Sequence, residues 1–251
     1  MIAKTIDEVI DHLTDIIDRA RREESRLGFF PALYRKVTTK VKEGIASGRF
    51  EDGPRMERLD VIFANRYLDA LERFREGERP SECWLVAFQA ASRWRLLFFQ
   101  HLLLGINAHI NFDLGIAAAQ TSPGEQLLSL KRDFDEINTI LAGLVAQVQN
   151  EIDELSPWLG ILDHIGGRTD EAIVKFSINK ARDAAWGVAQ RLAPLSPDQW
   201  DPELDKLDGE VATLGCLVRN PGWFLNLGLL AIRLRESNDV PRIIDVLSSD
   251  G

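Results

Sequence analysis

The sequence predicts an all-α protein on three observations. Apolar residues recur at helical spacing almost throughout, proline and glycine fall between the periodic stretches, and no run alternates as a half-buried strand would. The first helix starts at Thr5, which forms a capping box with Glu8, and carries Ile6, Val9, Ile10, Leu13, Ile16, Ile17 and Ala20 on one face. A second runs from Phe30 to about Ala46 with the stripe Phe30, Leu33, Val37, Val41 and Ile45, and Ser47-Gly48 ends it. Pro54 opens a third, which stops near Gly77. Pro80-Ser81-Glu82 starts a long fourth, about Cys83 to Ala119, and Thr121-Ser-Pro-Gly124 is a loop.

A fifth helix spans roughly Leu127 to Leu155, presenting Leu130, Phe134, Ile137, Leu141, Leu144, Val148 and Ile152. A short one follows from Pro157 to Ile165, closed by Gly166-Gly167, and a seventh runs from Thr169 to Leu192. Its core face is Val174, Ile178, Ala181, Ala185, Val188 and Leu192, with Asn179 and Asp183 on the other side. Pro202 opens a last long segment that Asn220-Pro221-Gly222 breaks in two, and a terminal turn lies around Pro241–Leu247. No heptad, repeat or linker interrupts the pattern, so residues 1–251 read as a single bundle-like domain around a long buried central helix.

Composition narrows the function classes. The chain of 251 residues is 45% hydrophobic and 27% charged, enough to bury a full core without staples. A net charge of −9 speaks against nucleic acid as a partner, since phosphate binding runs on Lys and Arg. Cys83 and Cys216 stand apart with no CxxC, which leaves no disulfide framework and no thiolate zinc site. Met1-Ile-Ala-Lys-Thr carries no apolar stretch, so a cytoplasmic protein is expected. Serine-nucleophile elbows, phosphate-cradling glycine loops, HExxH, EF-hand loops and paired ExxH motifs are all missing.

The fourth helix holds the informative residues. Leu96 to Ala119 reads LLFFQHLLLGINAHINFDLGIAAA, long enough for a membrane span but interrupted by Gln100, His101, Asn107, His109, Asn111 and Asp113. It reads instead as a core helix, whose polar side chains must find partners inside the protein. At about 100° per residue with His101 at zero, His109 falls near 80° and Asp113 near 120°; Gln100, Asn107 and Asn111 gather near 240–280°. His109 and Asp113 are an i, i+4 pair, whereas His101 lies ~12 Å away along the axis unless the helix bends at Gly105. The pair is either a carboxylate holding an imidazole in one tautomer between helices, or a metal-ligand pair or carboxylate-oriented general base. The stripe of Gln100, Asn107 and Asn111 suits interhelical hydrogen bonding, with Asn107 and Asn111 also open as substrate donors.

The third helix supplies the companion. Asp60 is centred on the stripe of Met56, Phe63, Ala64, Tyr67, Leu71 and Phe74, where a charged carboxylate is costly without a cation, a metal or several donors. It is either an Asp–Arg or Asp–His tie, or a site residue facing the fourth helix with Tyr67 two turns along. Asp163-His164 and His12 read as surface features.

The segment QHLLLGINAHINFDLGIA, preceded by RLDVIFANRYLDAL and followed by FSINKARDAAW, resembles a family of all-helical proteins of unknown function over most of the chain. That resemblance implies no activity, cofactor or partner. A looser one is to zinc-dependent phospholipases C and S1-type nucleases, whose zinc sites use His-x-x-x-Asp/Glu pairs on buried helices. His109-x-x-x-Asp113 is similar to one such pair, but the chain has only 4 histidines and the spacing occurs once, which excludes a three-zinc site. What this likeness implies at most is one metal, zinc or iron, held by His109, Asp113, Asp60 and His101.

Two functional expectations follow. One is a hydrolase or lyase with a buried His/Asp site between helices three and four, acting on a small or lipid-like substrate. There His109 is base or ligand, Asp113 its orienter, Asp60 acid or ligand, and Asn107, Asn111 and Tyr67 line the substrate. The other is a non-enzymatic binding or scaffold module whose buried polar groups fix helix register and whose ligand, if any, is apolar.

Overall fold

Thr5 accepts a hydrogen bond from the Glu8 N–H, while Glu8 reaches back to the Lys4 N–H, and α1 runs from there over Ile6–Arg22. The computed structural model containing it describes residues 2–155 and 178–249, whose regular structure is helical with no strand. The expected helix Pro157–Ile165, its Asp163-His164 pair and the start of the seventh helix with Val174 and Phe176 lie outside the described residues. After α1 come α2 (Phe29–Ala46), α3 (Gly53–Arg75) and α4 (Glu82–Ala90). The central helix follows as α5 (Phe98–Ile106), a π-helical stretch (Asn107–Asp113) and α6 (Leu114–Thr121). Then come α7 (Gln126–Leu155), α8 (Ile178–Leu192), α9 (Asp201–Arg219), α10 (Trp223–Arg233) and α11 (Val240–Ser248).

The expected fourth helix is thus two helices, parted at residues 91–97. Apolar periodicity runs across the break, but the start of α5 finds acceptors that only tertiary structure supplies. Gln100 Oε1 takes the Leu97 N–H at 3.1 Å, and the buried Glu236 carboxylate takes the Phe98 N–H at 3.1 Å. The terminal turn around Pro241–Leu247 is a full helix, capped by Asp239 and burying Val240, Ile243, Ile244 and Leu247.

From Phe98 to Thr121 the central helix is long and apolar enough to cross a membrane, and 83% of that apolar stretch is buried inside the protein. α2 and α3 pack on one side, α4 and α9 on another, and α8 closes over α6. At Gly105 a Cβ would lie 2.5 Å from the Phe30 ring, so the glycine lets α2 approach. Irregularity begins two residues later, where the helix widens and the Leu114 N–H bonds to the His109 carbonyl, five residues back.

On α2 the buried face differs from the expected stripe. Phe30, Tyr34, Thr38 and Val41 are buried, while Leu33, Val37 and Ile45 are only half-buried. The helix is rotated so that a mixed aromatic and hydroxyl face meets α3 and the π segment, an arrangement set by the partners and not by hydropathy.

Candidate functional site

Asp113, at the end of the π segment, is 1% exposed and has a complete set of partners. Arg66 Nε of α3 donates to Oδ1 at 2.8 Å, and Trp84 Nε1 of α4 donates to Oδ2 at 2.8 Å. Neither partner was expected; Arg66 carries the Asp–Arg tie that the sequence pattern offered for Asp60. A buried carboxylate that accepts from a guanidinium and an indole N–H fixes three helical elements together.

His109, one turn back, is held by contact instead of hydrogen bonds. Its Nδ1 lies 3.7 Å from Asp113 Oδ2, beyond a hydrogen bond, and neither ring nitrogen has a partner. Phe63 of α3 stacks on the imidazole at 3.5 Å between centroids, inclined 11°. Tyr34 meets it edge-on at 4.4 Å, and Phe30, Trp84 and Tyr67 stand around it between 5.5 and 6.4 Å. Burial lowers the imidazole pKa below its usual value, and the nearby Asp113 charge opposes that shift.

Asp60 shares two of these neighbours. It precedes Phe63 by one turn of α3, and its charge acts on the Tyr34 phenol, whose pKa is raised first by burial and then by Asp60. Asp60 Oδ2 is buried with no partner, and burial, then the charge of Glu57, pushes the carboxyl up to about 7. Tyr34 thus meets the His109 ring and also feels the Asp60 charge. Its hydroxyl is buried and faces the buried Thr38 hydroxyl one turn along α2. Asp60 Oδ2 and both His109 nitrogens are thus three buried polar atoms without a hydrogen-bond partner, in a fold where such atoms are normally paired.

The other expected residues lie elsewhere or have other duties. Asn107 Nδ2 donates to the Val211 carbonyl at 2.9 Å, Asn111 Nδ2 donates to Asn107 Oδ1 at 2.9 Å, and Gln100 Nε2 donates to the Val218 carbonyl at 2.8 Å. Gln100 and Asn107 bind the central helix to α9, and Asn111 braces Asn107 within the central helix. Tyr67 is buried against Phe30, Trp84 and Phe88, and burial raises its phenol pKa. His101 sits edge-on to Phe29 with Nε2 unpartnered; burial first, then Arg26 and Arg233, push its pKa down to about 3. Asn179 and Asp183 are exposed, and the buried polar residue of α8 is Arg182, which donates to the Phe134 carbonyl and to Asn138 Oδ1.

Among the described residues no group of three or more His, Cys, Asp or Glu side chains is placed to hold a metal ion. His109, Asp113, Asp60 and His101 do not assemble into one, and Asp113 has committed both oxygens to Arg66 and Trp84. Periodicity located Asp60, His109 and Asp113. It missed Tyr34 and Thr38, although their i, i+4 spacing after Phe30 was a signal for a shared face.

A family model described as a family of unknown function (DUF5995) matches residues 6–221. No curated protein and no solved structure matches the chain.

Proposed function

The chain belongs to the DUF5995 family, and from that premise we propose that it is an acid–base enzyme, a hydrolase or lyase, acting on a small or lipid-like substrate between α2, α3 and the π segment. One observation carries the reading: both nitrogens of His109 and Oδ2 of Asp60 are buried without a hydrogen-bond partner, and Tyr34 both meets the imidazole and feels the Asp60 charge. An unsatisfied buried polar group costs about 1–3 kcal/mol, a cost a fold retains more readily when the group meets a substrate. Desolvation leaves His109 a neutral imidazole, competent to accept a proton, and leaves Asp60 near 7, where it can donate one. Asp113 acts behind His109, oriented by Arg66 and Trp84. The π stretch belongs to this account, since such widened turns are frequent at functional sites.

The test is turnover of an ester, lactone and hydroxy-acid panel by the full chain beside His109→Gln and Asp60→Asn. General acid–base groups contribute about 10²–10⁴-fold, so a fall of at least ~100-fold in each folded variant is expected. Equal turnover in wild type and variants overturns the assignment. A second reading, a non-enzymatic scaffold, has its own support in Asp113, which ties α3 and α4 to the central helix. It is the reading left standing if the wild-type chain turns over none of the panel.

A further inference from the structure

The loop of residues 91–97, between α4 and α5, carries Arg93, Trp94 and Arg95 at the surface. Trp94 is 51% exposed, and the Arg95 guanidinium lies 5.6 Å from the centre of its ring, a cation–π contact between two exposed side chains. The loop is fastened to α10: Arg233 Nε donates to the Trp94 carbonyl at 2.7 Å, and Leu97 packs with Leu229 and Ile232. Arg233 is followed in the chain by Leu234, 71% exposed, and by the exposed Arg235. Beside the loop opens a cleft lined by Arg26, Phe29, Leu96, Phe98, Arg233 and Asn238, where Arg26 Nη1 donates to the Ala91 carbonyl at 3.3 Å.

We infer that this surface docks the protein onto an anionic lipid membrane, with Trp94 in the headgroup layer and Arg93 and Arg95 against lipid phosphates and carboxylates. Charge selects the partner. Exposed cations elsewhere face carboxylates, as Arg19 does Glu23, Lys42 does Asp7 and Arg132 does Glu51. Among the described residues no carboxylate lies within ion-pair distance of Arg26, Arg93 or Arg95. Two carboxylates of this region are engaged: Glu236 accepts the Phe98 N–H and lies 3.6 Å from Arg233, and Asp239 caps α11. Burial first, then the Arg233 charge, lower the Arg26 pKa, and Glu236 only partly offsets them. A chain of net charge −9 is repelled as a whole by an anionic surface, so attraction must come from a local patch such as this one. A tryptophan between arginines suits a bilayer, because its ring is apolar while its indole N–H and the flanking guanidiniums meet headgroups. A nucleic acid would call for a longer run of cations. The inference rests on neither His109 nor Asp60.

Vesicle flotation of the full chain tests this, with vesicles of phosphatidylcholine alone and of equal parts phosphatidylcholine and phosphatidylserine. Expected is binding to the anionic vesicles only, weakening as sodium chloride is raised, because exposed charges are screened. Trp94→Ser and the double variant Arg93→Gln/Arg95→Gln should each lose about tenfold or more in affinity. Arg132→Gln, which removes an exposed charge already paired with Glu51, should change it by less than about twofold. All four positions are exposed, and circular dichroism verifies the fold of each variant. No binding to the anionic vesicles, or equal binding to both compositions, overturns the inference. So does a loss in Arg132→Gln as large as in the double variant, which would mean that net charge alone governs binding. Binding left intact by both Trp94→Ser and the double variant overturns it too, since the contact would then lie elsewhere. Tighter binding of polyglutamate or of an oligonucleotide than of the anionic vesicles overturns the membrane as the partner.

Discussion

Replacing Asp60 by asparagine should make the protein more stable at neutral and alkaline pH. The carboxyl rises from 3.8 to about 7 through burial and the charge of Glu57, roughly three units, which at 1.36 kcal/mol per unit is about 4 kcal/mol. An unfolded chain releases this proton near pH 3.8 and the folded chain near 7, so between those values the folded state binds more protons. Stability contributed by Asp60 therefore falls as pH rises through that window and is flat above it. The asparagine carboxamide stays neutral at every pH and has nearly the shape of the protonated acid. Urea unfolding of both proteins at pH 4, 6 and 8 should show stabilities equal within about 1 kcal/mol at pH 4. At pH 8 the variant should lead by up to about 4 kcal/mol, with unchanged m-values. A variant less stable by the same amount at all three pH values would falsify the reasoning. That result would mean that Asp60 has hydrogen-bond partners in the fold, as Asp113 has.

Three further outcomes check other parts of the structure. His101, held down at about 3 against 6.5 in the unfolded chain, costs stability as pH falls from 6.5 toward 3, and His101→Phe should flatten acid unfolding across that window. Arg66→Ala leaves the 1%-exposed Asp113 without its cation and should cost about 3 kcal/mol, less than a fully buried pair because Arg66 is 25% exposed; paired denaturation curves measure it. Gly115→Ala would put a Cβ 2.5 Å from the Ala185 carbonyl oxygen and 2.7 Å from Val188 Cβ, and should lower stability by roughly 1–3 kcal/mol or more through displacement of α8. An unchanged melting temperature would contradict the close packing of α6 on α8.

What could be read early and what could not divides along sequence distance. The amphipathic faces of α1, α3 and α7 were legible because a helix face repeats every 3–4 residues and each residue announces its own preference for water. Asp60, His109 and Asp113 stood out by the same rule, as polar residues on apolar faces. The amides of Gln100 and Asn107 were legible as interhelical ties from their common side, and α9 supplies the carbonyls, whereas Asn111 donates to Asn107 in its own helix. The break at residues 91–97 was hidden because its cause is Glu236, more than a hundred positions away.

An all-helical chain with a buried polar central helix was already legible in the residue order, because periodicity and preference for water are local properties of each segment. Tertiary structure alone decided which polar groups meet. Arg66 and Trp84 take Asp113, α2 turns Tyr34 toward His109, and His101 is left with Phe29 at a separate place. The physical reason is that a hydrogen bond depends on angstroms and angles between distant segments, and the π widening changes those angles where Asp113 and His109 sit. Periodicity specifies which residues are inside; packing specifies which of them remain without a partner.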